Sequence, residues 1–176
     1  YTSAMIKSRR TFRSGRFEAR MKLPTGAGTW PAFWLVGPGP WPDTGEIDVV
    51  EHYARFGSGD NMFGFAESNL HSTPPLDQPR NTSRGRLART PIAPAEWHVY
   101  GVEWRPDEIR FSIDGELTEA HARPASDPDG SWPFDDYPES IVFDLFLGGT
   151  AGPVDAAALP QQLLVDWVRV WPIASR

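Results

Sequence analysis

The chain has 176 residues, of which 40% are hydrophobic and 23% charged, a balance typical of one globular domain. Its formal net charge of −6 argues against nucleic-acid binding, which usually requires a basic surface. No apolar run approaches the roughly 18 residues of a membrane-spanning helix, so no membrane partner is expected. Without cysteine, the chain has no disulfide, no thiolate metal ligand and no cysteine nucleophile.

The chain begins inside a predicted element. Residues 1–6 have the composition of a strand, and no signal peptide precedes them. We therefore expect the natural N-terminus, with any export signal, to lie upstream of this sequence. Nothing repeats at a fixed period and no linker divides the chain, so 1–176 is interpreted as a single domain.

Most predicted elements are short strands separated by turns. Segment 108–114 alternates between polar and apolar residues, and Asp114-Gly115 then provides a hairpin turn. Segment 97–104 is aromatic and β-branched, and a three-residue turn is predicted to pair it with 108–114. The other predicted strands are 15–22, 30–36, 45–51, 140–147 and 163–171.

The remaining segments are rich in turn-forming residues. The stretches 73–95 and 121–139 lack apolar periodicity, so both are predicted loops. Segment 155–162 is predicted to form one short helical turn. Several short strands at close spacing favour an all-β sandwich or barrel.

The strand 45–51 carries three acidic residues. Glu46 and Asp48 share a face because side chains alternate along a strand, whereas Glu51 would point to the opposite face. A β-bulge across Val49-Val50 would return Glu51 to the face of the other two acids. Two glutamates so placed can bring their carboxyl groups to about 5–6 Å, near the spacing of a retaining glycoside hydrolase.

These acids admit two interpretations. Strand acids are usually solvated or salt-bridged, yet three on one face repel one another unless a function retains them. Crowding raises at least one carboxyl pKa, and glycoside cleavage requires one neutral acid beside one carboxylate. The sequence therefore predicts a glycoside hydrolase in which Glu46 and Glu51 are the two working carboxylates.

Tryptophans precede the acidic strand. An indole face stacks well on the C–H face of a sugar ring, so glycan clefts combine tryptophans with polar groups. Trp30 and Trp34 are four residues apart and share a strand face, which places both either in the core or in the cleft. Trp41 lies in a Gly/Pro loop with less core to enter, and it is the best candidate for stacking on a sugar.

Five segments, in chain order, carry further information: GRFEARMKLP, TWPAFWLVG, WPDTGEIDVVEH, WHVYGVEWRPDEIRFSIDG and LLVDWVRVW. Together they resemble the laminarinase-like branch of glycoside hydrolase family 16 over nearly the whole chain. The resemblance implies a β-jelly roll of two curved antiparallel sheets whose concave groove holds the substrate. It implies a secreted, retaining endo-hydrolase of β-1,3 or mixed β-1,3/1,4-glucan, with no cofactor for catalysis. We expect a monomer whose partner is the polysaccharide.

The resemblance also assigns roles to residues. Glu46 corresponds to the nucleophile, Glu51 to the acid/base, and Asp48 to an acid that orients the nucleophile. Asp166 matches an aspartate that helps to hold a structural calcium ion. The expected substrate-binding residues are Trp30, Trp34, Trp41 and His71, although a single histidine is also often an ordinary hydrogen-bonded residue.

The chain departs from the family pattern at several positions. Family members carry additional strands before the segment that begins here at Tyr1, so the sandwich is expected to lack them. Asp144 stands where asparagine is common, and Thr150-Ala151 where many laminarinases have a tryptophan. The loop 73–95 contains Arg80, Arg84, Arg86 and Arg89, which are either solvated or contact anionic groups on a charged glycan.

Three alternatives therefore remain open. A relative with the same machinery could cleave agar, carrageenan or another galactan, and a transglycosylase would share the same carboxylates. A non-catalytic glycan-binding module typically loses the acids that this chain retains. Asn81-Thr82-Ser83 matches a glycosylation acceptor if the host glycosylates.

Overall fold

The computed structural model describes residues 1–54, 64–73, 84–126 and 131–173, whose regular secondary structure is almost entirely β-strand. The strands are β1 (Ala4–Phe12), β2 (Gly15–Lys22), β3 (Thr29–Val36), β4 (Glu46–Glu51), β5 (Phe65–Ser72), β6 (Arg84–Pro91), β7 (Trp97–Trp104), β8 (Glu108–Ile113), β9 (Glu116–Ala122), β10 (Glu139–Leu147) and β11 (Leu164–Trp171). Short 3-10 turns lie at Pro133–Asp135, Gly149–Ala151 and Ala156–Ala158. In this part of the chain, no helix is long and apolar enough to cross a membrane.

The strands form two antiparallel sheets that stack face to face. One sheet has the order β1-β10-β3-β4-β5-β6, and the other has the order β11-β2-β7-β8-β9. Strand β4, which carries the three acids, packs over β7, and the edge strand β6 packs over β9. The predicted all-β jelly-roll sandwich is confirmed.

The seven predicted strands are confirmed to within one residue at each end. Strands β7 and β8 pair as the predicted hairpin. Asp114 and Gly115 both have positive φ angles, 52° and 84°, which suits the tight turn between β8 and β9. The predicted turn within 155–162 is confirmed at Ala156–Ala158.

The prediction of a loop over 73–95 is wrong, because β6 occupies Arg84–Pro91 and pairs with β5 along its length. As an edge strand, β6 is defined by hydrogen bonds on one side and shows no apolar alternation. Strand β5 escaped prediction because polar side chains fill one of its faces. Strand β9 also reaches Ala122, inside the predicted loop 121–139.

A core of large apolar side chains fills the space between the sheets. Phe33 stacks on Phe143 with ring centroids 4.7 Å apart, and the Trp104 indole donates a hydrogen bond to the Phe134 carbonyl over 2.8 Å. Other fully buried side chains are Phe17, Met21, Leu35, Ile47, Leu70, Tyr100, Ile109, Phe111 and Trp132. Each such side chain contributes roughly 1.5–3 kcal/mol when it leaves water.

One end of the sandwich is less well covered. Ile6 on β1 pairs with the core residue Phe143, so it occupies an inward-facing position, yet it is 67% exposed. Val168 on β11 pairs with the buried Ala19, yet it is 41% exposed. A groove of about 610 Å³ runs beside this edge. We call this region, formed by β1 and β11, the open edge.

Candidate active site

A bulge in β4 brings the three acids onto one face. Along β3, Trp34 pairs with Asp48 and Phe33 pairs with Val50, so Val49 is the extra residue that the bulge absorbs. The acid that follows therefore returns to the face of the first two, as predicted. On β5, each acid has a polar partner, in the pairs Glu46–His71, Asp48–Asn69 and Glu51–Glu67.

Glu46 contacts two aromatic residues. The Trp41 indole donates a hydrogen bond to Oε2 over 3.1 Å, and His71 Nε2 lies 3.7 Å from Oε1. Burial raises the pKa of Glu46 to about 8, and the charge of Asp48 adds to this rise, while His71 opposes it. Trp41 is 45% exposed, which leaves part of its ring surface open to a ligand, as expected for a sugar-stacking residue.

Asp48 is buried beside Glu46. Its Oδ2 atom lies 3.2 Å from His71 Nε2. Burial raises the pKa of Asp48 well above its ordinary value, and the charges of Glu51 and Asp144 raise it further. Carboxyl groups this close do not all ionise together, so the cleft retains at least one proton near neutral pH. This is the mixed protonation that glycoside cleavage requires.

Glu51 accepts two hydrogen bonds on a single oxygen. The Tyr53 hydroxyl and the Trp30 indole each donate to Oε1 over 2.9 Å. Burial raises the pKa of Glu51, and these two hydrogen bonds oppose the rise because they stabilise the carboxylate. The Trp30 ring packs between Tyr53 and Phe146. Trp30 therefore holds Glu51 in place in addition to lining the cleft.

An open cleft of about 160 Å³ lies over the three acids. Its lining residues are Trp30, Ala32, Trp34, Glu46, Asp48, Glu51, Asp144 and Phe146. The Trp34 indole donates to Asp144 Oδ2 over 2.7 Å, so this tryptophan forms part of the cleft wall. Burial raises the pKa of Asp144 to about 6. The aspartate that replaces the common asparagine thus adds a fourth carboxyl to the cleft.

The structure brings together every predicted catalytic and substrate-binding residue, namely Glu46, Asp48, Glu51, Trp30, Trp34, Trp41 and His71. Two neighbours were missed from the sequence. Tyr53 follows the acidic strand by two positions, and only its hydroxyl contact shows that it belongs to the site. Glu67 lies on β5, a strand that was not predicted, directly across from Glu51.

Asp166 lies on the other sheet, away from the cleft. Its Oδ2 atom accepts a hydrogen bond from Arg20 Nη1 over 2.8 Å, and Arg20 lies over the Trp97 ring. Asp166 is a half-exposed carboxylate already paired with a cation, whereas a calcium ion needs six to eight oxygen ligands, which can include backbone carbonyls. Among the described residues, Glu46, Asp48 and His71 form the only acid and histidine group with metal-ligand spacing. The calcium role of Asp166 stays a prediction.

The arginines of the segment 73–95 are only partly described. Arg80 and Asn81-Thr82-Ser83 lie outside the described residues, as do the side chains of Arg84 and Arg86. Arg89 Nε donates to Glu67 Oε1 over 2.7 Å. The cross-strand pairs of β4, β5 and β6 place Arg89 on the cleft face, two strands from Glu51.

Comparison with known proteins agrees with this geometry. The family model described as glycosyl hydrolases family 16 matches residues 1–169. The chain belongs to this family. It is 38% identical to a β-glucanase of Rhodothermus marinus over 97% of this chain and 62% of that protein. This family 16 chain thus spans less than two thirds of that relative.

Two further proteins are similar to the family 16 chain. The laminarinase structure from Rhodothermus marinus superimposes with a TM-score of 0.77 at 33% identity, over 96% of this chain and 69% of that one. A keratan-sulfate endo-1,4-β-galactosidase of Sphingobacterium multivorum is 30% identical over 90% of this chain and 37% of its own length. Proteins similar to this chain therefore differ in the glycan that they cleave.

Proposed function

We propose that this chain is a retaining endo-hydrolase of a neutral β-glucan with β-1,3 or mixed β-1,3/1,4 linkages. The observation that carries the proposal is the placement of Glu46, Asp48 and Glu51 on one face of β4, in a cleft lined by tryptophans. An open cleft suits cleavage within a long polymer, because the polysaccharide can extend past both ends of the cleft. The similarity to a β-glucanase and a laminarinase supports the same substrate class.

The proposed reaction has two displacement steps. Glu46 attacks the anomeric carbon and forms a glycosyl-enzyme, while Glu51 gives its proton to the departing glycosidic oxygen. Glu51 then takes a proton from water, which attacks the same carbon and releases Glu46. Asp48 and His71 lie beside Glu46 and orient it. Burial raises the pKa of both glutamates, so the direction of the pKa shift does not distinguish the nucleophile from the acid/base. The proposed roles follow instead from the order of the two residues in the motif, and azide rescue tests them.

The charge of the cleft favours a neutral substrate. Its described face carries several carboxyl groups, at Glu46, Asp48, Glu51, Glu67 and Asp144. Arg89 supplies a cation on this face, but Glu67 already pairs with it. A sulfated or carboxylated glycan would meet repulsion from any of these acids that is ionised. The second candidate substrate is an anionic galactan. Two observations favour it, namely the position of Arg89 on the cleft face and the similarity to the keratan-sulfate enzyme.

A screen of reducing-end release distinguishes the two candidates. The substrates are laminarin, lichenan, agarose, carrageenan, galactan and keratan sulfate, each with the chain and with a Glu46→Gln variant as the inactive control. We expect the fastest release from laminarin or lichenan. Faster release from a sulfated galactan, reduced in an Arg89→Gln variant, would establish the second candidate instead.

The same screen tests the non-catalytic alternative. A binding module would retain laminarin on an affinity gel without releasing reducing ends, whereas the proposed enzyme does both.

Polysaccharides do not cross membranes, so the proposed activity implies secretion, which cell fractionation of the producing host tests. We also propose a monomer, which light scattering during gel filtration tests.

A further inference from the structure

The hydrogen bonds at Glu51 are asymmetric. Both donors, Trp30 Nε1 and the Tyr53 hydroxyl, reach Oε1. A carboxyl oxygen has two lone pairs, and these two donors occupy both of them. A proton on Oε1 would face two other hydrogens, so the neutral acid must carry its proton on Oε2.

Both donors are fixed by packing that is separate from the main core. Trp30, Tyr53 and Ala151 form a second apolar cluster. Main-chain pairing with β3 continues past the end of β4, since Ala54 N–H donates to Thr29 O over 3.0 Å. The Tyr53 and Trp30 ring centroids are 5.2 Å apart. The two donor atoms are thus held relative to the strand that carries Glu51.

Neither donor loses its proton in the working pH range. Burial and the charge of Glu51 raise the pKa of the Tyr53 hydroxyl, and an indole N–H does not ionise. Hydrogen bonds to an ionised carboxylate are about twice as strong as those to a neutral group. The pair therefore stabilises Glu51 most after it has given up its proton.

We propose that Trp30 and Tyr53 are positioning residues that fix the transferable proton of Glu51 on Oε2. In the two-step reaction, which this inference takes from the proposed function, one oxygen then both delivers the proton to the leaving group and recovers it from water. The remaining titratable groups that act on Glu51 are Glu46, Asp48, Glu67, His71 and Asp144. None of them is changed in the variants that test the proposal.

The first test compares Tyr53→Phe with Tyr100→Phe. Both substitutions remove a hydroxyl from a buried tyrosine, but the Tyr100 hydroxyl lies in the core with no hydrogen-bond partner among the described residues. In Tyr53→Phe, we expect kcat on laminarin to fall about tenfold, because the ionised acid loses one charge-assisted hydrogen bond. Activity on a dinitrophenyl β-glycoside, whose departure needs no proton, should fall about twofold or less. The alkaline limb of kcat/KM should move to higher pH.

The control Tyr100→Phe should keep the wild-type pH profile and the wild-type ratio between the two substrates. Equal loss on both substrates in Tyr53→Phe, with an unmoved alkaline limb, would show that Tyr53 is merely structural. Trp30→Phe removes the other donor and should move the limb in the same direction.

A second measurement does not depend on the substrate. Carbon-13 NMR of the Glu51 carboxyl, assigned by its loss in Glu51→Gln, follows the titration directly in each variant. We expect Tyr53→Phe to titrate at higher pH than wild type and Tyr100→Phe to match wild type. Identical titration in all three would overturn the inference. A wild-type chain that cleaves no glycan but shows the expected titration would instead overturn only the proposed function.

Discussion

The acidic cleft and the open edge of the same sandwich are built in opposite ways. Strand β4 has a hydrogen-bonded neighbour on each side, and its residues are buried or nearly so on both faces. Strands β1 and β11 are edge strands, and inward-facing residues such as Ile6 and Val168 remain exposed. Glu46, Glu51 and Asp144 in the cleft accept hydrogen bonds from indole or hydroxyl donors, whereas the open edge presents apolar side chains to water.

This contrast explains why the site is confined to the centre of one sheet. Burial between neighbouring strands, together with the charges of adjacent acids, raises the carboxyl pKa values in the cleft. The open edge offers no such shielding. Strands upstream of residue 1 that covered this edge would bury Ile6 and Val168, and their existence stays a prediction.

Removing either glutamate from the cleft should have the greatest consequence. Glu46→Ala and Glu51→Ala should each lower kcat on laminarin by about 10³-fold or more. Azide should rescue both variants, because each substitution leaves room for a small anion. We expect an inverted azide product from Glu46→Ala and a retained one from Glu51→Ala, measured by NMR of the anomeric proton. The opposite pair of products would mean that the two roles are exchanged.

The buried acids should also make stability depend on pH. The folded-state pKa of Glu46 is raised from its ordinary value of 4.5 to about 8, so its stabilising contribution is complete below pH 4.5 and is lost as pH rises through 8. The free energy of unfolding, measured with urea, should fall by a few kcal/mol between pH 5 and 8. Glu46→Gln should reduce this fall.

Glu139 provides a second site for the same measurement. It is fully buried, no hydrogen-bond partner is present among the described residues, and burial raises its pKa well above the ordinary value. Glu139→Gln removes the ionisable group at nearly constant volume and should also flatten the pH dependence. A pH dependence unchanged in both variants would contradict the assignment of raised pKa values to this region.

A matched pair of valines tests the packing difference directly. Val50 on β4 is 1% exposed, and Val168 at the open edge is 41% exposed. Val50→Ala should lower the free energy of unfolding by roughly 2–3 kcal/mol, because it removes two buried methyl groups and leaves a cavity. Val168→Ala should cost about 0.5 kcal/mol or less. Equal losses would show that the open edge is as well packed as the centre.

Removal of calcium from the outer face should have the smallest effect of these changes on the stability of the chain. Because the Asp166 carboxylate already pairs with the Arg20 guanidinium, a chelator should change the Tm of this chain by less than about 1 °C. Differential scanning fluorimetry with and without EDTA measures this. A clear drop in Tm that Asp166→Asn abolishes would instead establish a structural cation at this position.

Side-chain periodicity along single strands was enough to predict most of the strand pattern and the shared face of the three acids on β4. Local alternation defined β8, and the two-residue gap between Asp48 and Glu51 required a bulge if all three acids were to share one face. A sequence records such features directly, because they depend only on the order of residues along one strand. The grouping of the acids with nearby tryptophans followed for the same reason.

Contacts between distant strands, in contrast, depend on the tertiary fold. Tyr53 and Trp30 meet at one oxygen of Glu51, Asp144 enters the cleft from β10, and Asp166 pairs with Arg20. Strand β6 likewise exists through its backbone pairing with β5. Such contacts depend on cross-strand register and on the direction of each side chain, and no local pattern in the sequence encodes either of them.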